Sequence, residues 1–487
     1  MINRRDLLKW GVTTSATCRP FMATGAVLPA DSQMDVESLI RILEQTPRDK
    51  LPELLIVKKI QGMTKIDLLT AVCLAGARNV EPYPAVGFKY HAIMMMHAVH
   101  LTRTQSTNKR YKWLPLLWSA DQFKSAQIQD LRGGDWQIAP IEEKLLPASP
   151  RVAFIQAMER WDAAAADMAI VALSRRGNFD DIFELLFHFG ARDLRDIGHK
   201  TIAVSNCHRV LKLIGWQHRE NMLRSTVYAL LNHGNEPNPA TSDLEADRAG
   251  RINAELIRKF PTGWQQGRME HKVTLELNRA LATQGAEQIG LTALEILQDK
   301  IHPQVLWDAT FIAVAQMIMQ QSSIVAVHGT TTINALNFAF RNAQQAETQA
   351  FMLLQSLSFV TWLRSLLRGR KRNIQFESFE PVATNEQQPE QEIFNIISQD
   401  RALAAAKMLH HLQAGGSDEH FMQAARMLIV DRNVGYHDYK FTEASFENYS
   451  YISSRWRDRY LCASVFYLNG SQDKPNRVVA TFKELLG

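Results

Sequence analysis

The chain has 487 residues, 46% hydrophobic and 22% charged, a balance that excludes a largely disordered polypeptide and is long enough for a large core without staples. Much of the net charge of +5 sits in the first thirty residues, where Arg4, Arg5, Lys9 and Arg19 face only Asp6, so the remainder carries no electrostatic footprint for nucleic acid. No stretch reaches the about 18 uncharged apolar residues of a spanning helix, and four cysteines without a Cys-x-x-Cys pair exclude a zinc ribbon or a disulfide scaffold.

Asn3-Arg4-Arg5-Asp6-Leu7-Leu8-Lys9 matches the twin-arginine export pattern, with Ala23, Gly25, Ala26 and Ala30 as candidate cleavage positions. The expectation is an export signal over 1–30, handling by the twin-arginine machinery and a periplasmic mature chain. Beyond it helical periodicity dominates. Thr46-Pro47 reads as a cap and a first-turn proline opening a run through Leu51, Leu54, Leu55 and Val57. Spacings of three and four predict helices over 64–76, 91–103, 152–174, 179–189, 197–213, 217–232, 271–283, 303–320, 324–341, 346–367, 400–413 and 419–430. Strand and hairpin signals are absent, so the fold class is all-α, a multi-helical globular bundle. Three stretches interrupt it: 131–150, 234–243 and 369–391. The last is a polar linker or loop between a main helical domain, 31–368, and a C-terminal helical segment, 392–487, that packs on it. Arg368, Arg370, Lys371 and Arg372 at its start read as a solvated helix end. Cys73, Cys207 and Cys462 read as buried, unpaired thiols. Trp161-Asp162-Ala163 and Trp307-Asp308-Ala309 each read as opening an apolar helix followed by a histidine-bearing one, an internal repeat that implies two related helical layers around a central pocket.

The chemistry lies in the histidines. Four helices carry one near their start, at His91, His199, His328 and His437, among apolar or small neighbours that turn the imidazoles inward. Four separately buried imidazoles need four sets of partners, whereas one polar pocket with water, substrate or metal satisfies all of them, so these four are expected to converge. Six residues after each stands a hydrogen-bonding side chain: His97, Ser205, Asn334 and Glu443. An advance of about 600° does not return to the same helix face, whereas His97 and His100 do share one. The candidate metal ligands are therefore His91, His97, His100, His199 and His328, for iron or another transition metal. The candidate catalytic residues are His91, His199, His328, His437, Asn334 and Glu443, with imidazole as a general base in the metal-free alternative. The cofactor is left as none or an iron or haem-type metal centre. His-Glu-x-x-His, Glu-x-x-His pairs, Gly-x-Gly-x-x-Gly, the P-loop and Gly-x-Ser-x-Gly are all missing, so there is no flavin or nicotinamide motif, P-loop nucleotide site or hydrolase elbow.

The histidine segments resemble those of the questin oxidase-like family: His91 in an early helix; His199-Lys200-Thr201-Ile202; His328-Gly329-Thr330-Thr331 leading to Ala335-Leu336; and His437-Asp438-Tyr439-Lys440-Phe441-Thr442-Glu443-Ala444. Lys200 departs from the family pattern, which has proline there. The resemblance implies an oxygenase acting on an aromatic or polyketide-like ketone in the Baeyer–Villiger manner without flavin, and it adds Lys440 to the candidate catalytic set. One imidazole removes a phenolic proton; Asn334, Thr331 or a second histidine holds the developing oxyanion; Met94, Met95, Phe338 and Trp362 wall off a flat substrate; and Gly329 lets a ligand approach the backbone. The expected partners are a small aromatic substrate, oxygen and the export machinery, with no nucleic acid and no integral membrane segment. A reading from a different class is a non-catalytic periplasmic binding or scaffold protein whose histidines are structural.

Overall fold

A computed structural model describes residues 34–82, 89–106, 108–231, 236–385 and 387–487. The expected export signal lies outside them. The described residues are 71% helical, and among them no strand forms beyond an isolated bridge between Arg268 and Ile301. Among the same residues no helix is long and apolar enough to cross a membrane.

Local rules set many helix starts. Thr64 and Asp67 form a reciprocal capping box that opens helix Lys65–Asn79, and the Asn178 side chain accepts from Asp181 N at 2.9 Å to open Phe179–Arg192. Helices Pro303–Gln320, Ile324–Asn342 and Ala346–Leu366 are buried along most of their faces, as helices at the centre of a large bundle must be. One hydrophobic core runs from Leu39 to Phe482 and takes side chains from both sides of 369–391. That stretch is a loop, but not a free tether. Arg372 N donates to Gln320 O at 2.9 Å, Phe376 is buried with its N donating to Gln316 Oε1 at 2.6 Å, and Val382 N donates to Ala406 O at 3.0 Å. Helix Pro389–Ile397 begins inside the span read as linker.

Helix Leu114–Gly133 is not anticipated by periodicity because its buried face is interrupted by Asp121, Lys124 and Asp130. Each is paired in place: Arg48 grips Asp121 at 2.7 and 2.8 Å, Lys124 donates to Leu43 O at 2.9 Å, and Lys89 donates to Asp130 at 2.7 Å. The run read over 152–174 is two helices, Pro150–Arg160 and Ala163–Arg176. Trp161 sits between them at φ 61°, and Asp162 caps the second by accepting from Ala165 N at 3.0 Å. Trp307-Asp308-Ala309, by contrast, lies inside Pro303–Gln320, which is capped by His302. The two triplets play unlike structural roles, which corrects the expectation that both open a helix. Cys73, Cys207 and Cys462 are buried and free, and burial raises their thiol pKa values, that of Cys207 to about 12.

Candidate metal centre

Four helices deliver one imidazole each. His91 opens His91–Met94, His199 opens His199–Ile214, His328 lies in the first turns of Ile324–Asn342, and His437 is second in Tyr436–Tyr451. Despite 346 positions between the first and the last, His91 Nε2 lies 3.0 Å from His437 Nε2. His199 Nε2 lies 3.4 Å from His91 Nε2 and 2.8 Å from His328 Nε2. All four ligand atoms fall within 4.8 Å of one another, and among the described residues no other set of three or more His, Cys, Asp or Glu side chains converges in this way.

Two of the tautomers follow from the partners. His199 Nδ1 meets Asp196 O at 2.5 Å and His328 Nδ1 meets Ile324 O at 2.7 Å. A carbonyl only accepts, so both Nδ1 atoms carry the proton and both Nε2 atoms present bare lone pairs, aimed at each other. Burial, with the positive charge of nearby Lys440, holds His91, His199 and His328 well below the usual imidazole range and His437 at about 3. Protonation is therefore opposed. A cation between the rings would turn the repulsion into ligand bonds.

The spacing suits a first-row metal. Ligand distances of about 2.0–2.1 Å put neighbouring nitrogens about 2.9 Å apart at right angles and about 3.4 Å apart at tetrahedral angles, which brackets most of the observed separations. Ring centres are separated by 4.5 Å for His91–His437, 5.0 Å for His91–His199, 4.3 Å for His199–His328 and 5.0 Å for His328–His437, with 6.3 Å across from His91 to His328. A square has a diagonal about 1.4 times its side, whereas all separations in a tetrahedron are equal, so the cyclic order is nearer a square.

A cleft begins one turn beyond the rings of His199, His328 and His437 on their own helices and takes its remaining side from helix Met96–Thr104, which follows His91–Met94. The third residues after His199, His328 and His437 line it (Ile202, Thr331 and Lys440), and so do the seventh residues after all four histidines, Ala98, Asn206, Ala335 and Ala444. Seven residues are close to two turns, so Asn206, Ala335 and Ala444 return to their histidines' faces, while Ala98 lies on the next helix, Met96–Thr104. His97, Asn334 and Glu443 flank these positions and reach the cleft as well; Ser205 instead donates to Ala335 O at 3.0 Å.

Lys440 is buried, its Nζ has no hydrogen-bond partner, and burial draws its pKa down to about 7. Glu443, one of the candidate catalytic residues, is engaged on both oxygens, by Arg426 at 2.9 and 2.9 Å and by Thr102 at 2.7 Å. Asn334 accepts from Arg209 at 3.2 Å and donates to Glu447 at 2.8 Å and Asn448 at 3.0 Å. His97 and His100 do not belong to the four-ring group, a correction to the expected ligand set in which His437 takes the remaining place. His97 faces the cleft two turns away, and His100 lies 3.4 Å from Arg103 with its pKa lowered to about 4. The expected apolar wall is also corrected: none of Met94, Met95, Phe338 and Trp362 lines the cleft, and Phe338 instead lies under the Arg209 guanidinium at 4.0 Å. Gly329 faces Leu363 and Val314, so its missing Cβ serves helix packing and not a ligand. Arg209, Glu447 and the Asp196 carbonyl escape notice in the sequence, since none stands at the six-residue offset.

No family model, curated protein or solved structure matches the chain.

Proposed function

We propose that the chain is a metal-dependent oxidoreductase, an oxygenase of an aromatic or polyketide-like ketone, in which His91, His199, His328 and His437 hold one first-row transition metal, iron for this chemistry. The observation that carries the reading is the pair of bare Nε2 atoms of His199 and His328 facing each other at 2.8 Å in a buried site. Imidazole suits iron, copper, nickel and zinc, and a redox-active member of that group supplies the one-electron chemistry that ground-state oxygen requires. The resemblance of the histidine segments to the questin oxidase-like family supports the substrate class.

The remaining roles belong to the chain. Lys440, with a pKa of about 7 and a free Nζ beside the cleft, exchanges a proton with a phenolic or enolic substrate oxygen near neutral pH. Leu101, Ile202 and Ala335 exclude water, while Arg209 and Asn334 hold the polar end of the cleft in one arrangement through Glu447. Insertion of one oxygen atom beside the ketone sends the other to water, with two electrons and two protons from a diffusible reductant of the ascorbate class. The twin-arginine pattern over 3–9 supports metal loading and folding before export to the periplasm.

The test is oxygen consumption by iron-loaded protein over a panel of hydroxylated aromatic ketones with ascorbate, using isotopically labelled oxygen. Label in a product, abolished by His328→Gln in folded protein, supports the reading. A loaded protein that consumes no oxygen with any panel member counts against it.

A further inference from the structure

The segment that presents His199 is held in a backbone conformation that its own sequence disfavours. Ile197 has φ 47° and Gly198 has φ 84°, both in the left-handed region, where a β-branched residue such as isoleucine is rare. The conformation matters because Asp196 O, immediately before Ile197, accepts the His199 Nδ1 proton at 2.5 Å and so leaves Nε2 bare for a metal. Turning Ile197 back to an ordinary φ rotates that carbonyl.

Two contacts oppose the rotation. Asp193 fixes the start of the segment by accepting from Arg195 Nε at 2.9 Å and by pairing with Lys200, which is wholly buried beside His199. Lys200, the position at which the chain departs from the resembled pattern, thus has a structural task of its own. At the other end Thr332 Oγ1 donates to Ile197 O at 3.0 Å, and Thr332 packs so closely on Gly198 that a Cβ there would run into its hydroxyl. Thr332 stands one turn after His328 on the same helix. One hydroxyl therefore ties the support of one imidazole to the helix that carries its facing partner.

We infer that Thr332 is a positioning residue of the metal centre: its hydroxyl holds Ile197-Gly198 left-handed and thereby fixes the tautomer and aim of His199. The inference rests on the metal-centre reading, and partners of this kind typically change metal affinity about 10–100-fold.

The test uses the full metal-free chain, zinc(II) affinity by chelator competition and the absorption spectrum of the cobalt(II) form. Thr332→Val is expected to weaken zinc binding about 10–100-fold and shift the cobalt bands, while Thr332→Ser stays near wild type. Ile197→Gly, which accepts the left-handed conformation without strain, is expected to recover part of the loss in the Thr332→Val background. If Thr332→Val does not fold, Thr332→Ala is measured with the same expectation. Wild-type affinity and an unchanged cobalt spectrum in the valine or alanine variant overturn the clamp alone. A wild-type chain that binds neither metal overturns the metal centre and the clamp with it.

Discussion

Replacing His328 with leucine separates a metal centre from four structural histidines. In the metal-free protein the substitution removes one of two lone pairs facing each other at 2.8 Å and loses the Nδ1 bond to Ile324 O at 2.7 Å. Relief of a buried unsatisfied acceptor is worth about 1–3 kcal/mol, and the lost bond costs about 0.5–1.5 kcal/mol. The net effect runs from about 0.5 kcal/mol of destabilisation to about 2.5 kcal/mol of stabilisation. Over 487 residues the unfolding entropy makes 1 kcal/mol worth about 1 °C, so the metal-free midpoint is expected to fall by no more than about 0.5 °C or rise by up to about 2.5 °C. Metal adds the larger difference. At about 100–1,000 times Kd a ligand contributes about 2.7–4.1 kcal/mol, which raises the wild-type midpoint by about 3–4 °C, while His328→Leu, short of one ligand, is expected to respond far less. Calorimetry of both proteins with and without iron(II) under anaerobic conditions reads all four values. A metal-free His328→Leu that melts several degrees below wild type, together with no metal response in wild type, refutes the reasoning and favours the scaffold reading.

Alanine at His97 or His100 is expected to leave metal stoichiometry unchanged, checked by elemental analysis, because neither ring belongs to the converging group. Lys440→Met is expected to flatten the pH dependence of stability between about pH 7 and 10. In wild type the folded group at about 7 lies below its unfolded value of 10.5, so in that window the unfolded chain holds the extra proton and stability rises with pH, by roughly 1.4 kcal/mol per unit for one proton; denaturant titrations at several pH values measure the slope. Glu443→Gln breaks the buried bidentate pair with Arg426 and is expected to cost about 3 kcal/mol in denaturant unfolding while metal stoichiometry holds. Replacing Arg4 and Arg5 together with lysine is expected to keep the chain in the cytoplasm, as read by cell fractionation; unchanged export removes the twin-arginine reading.

The helices were legible where an apolar stripe was unbroken, as along Phe179–Arg192, and hidden where buried charges interrupt it. Asp121, Lys124 and Asp130 in Leu114–Gly133 look like surface residues until Arg48, the Leu43 carbonyl and Lys89 are brought to them from distant positions. The convergence of His91, His199, His328 and His437 followed from the cost of burying imidazole, without any spacing motif. That argument already included His437, whereas His97 and His100 entered the ligand list only because they share a helix face, and neither joins the four-ring group. One signal was present and unread. The seventh residues after the histidines, Ala98, Asn206, Ala335 and Ala444, are mostly small and together line the cleft, and the last three return to the histidine face of their own helices. The aromatic wall was misplaced because aromatic residues at helical spacing fill a core as readily as they line a cavity. The left-handed Ile197 left no trace at all, since isoleucine is among the residues least expected there.

The most direct measurement is the metal content of the purified full chain, loaded anaerobically with iron(II) and then desalted. Four converging neutral imidazoles predict one ion retained per chain, and less than one when any of His91, His199, His328 or His437 is replaced by alanine. A wild-type chain that retains no iron, and none of the other first-row divalent metals offered in its place, contradicts the metal centre.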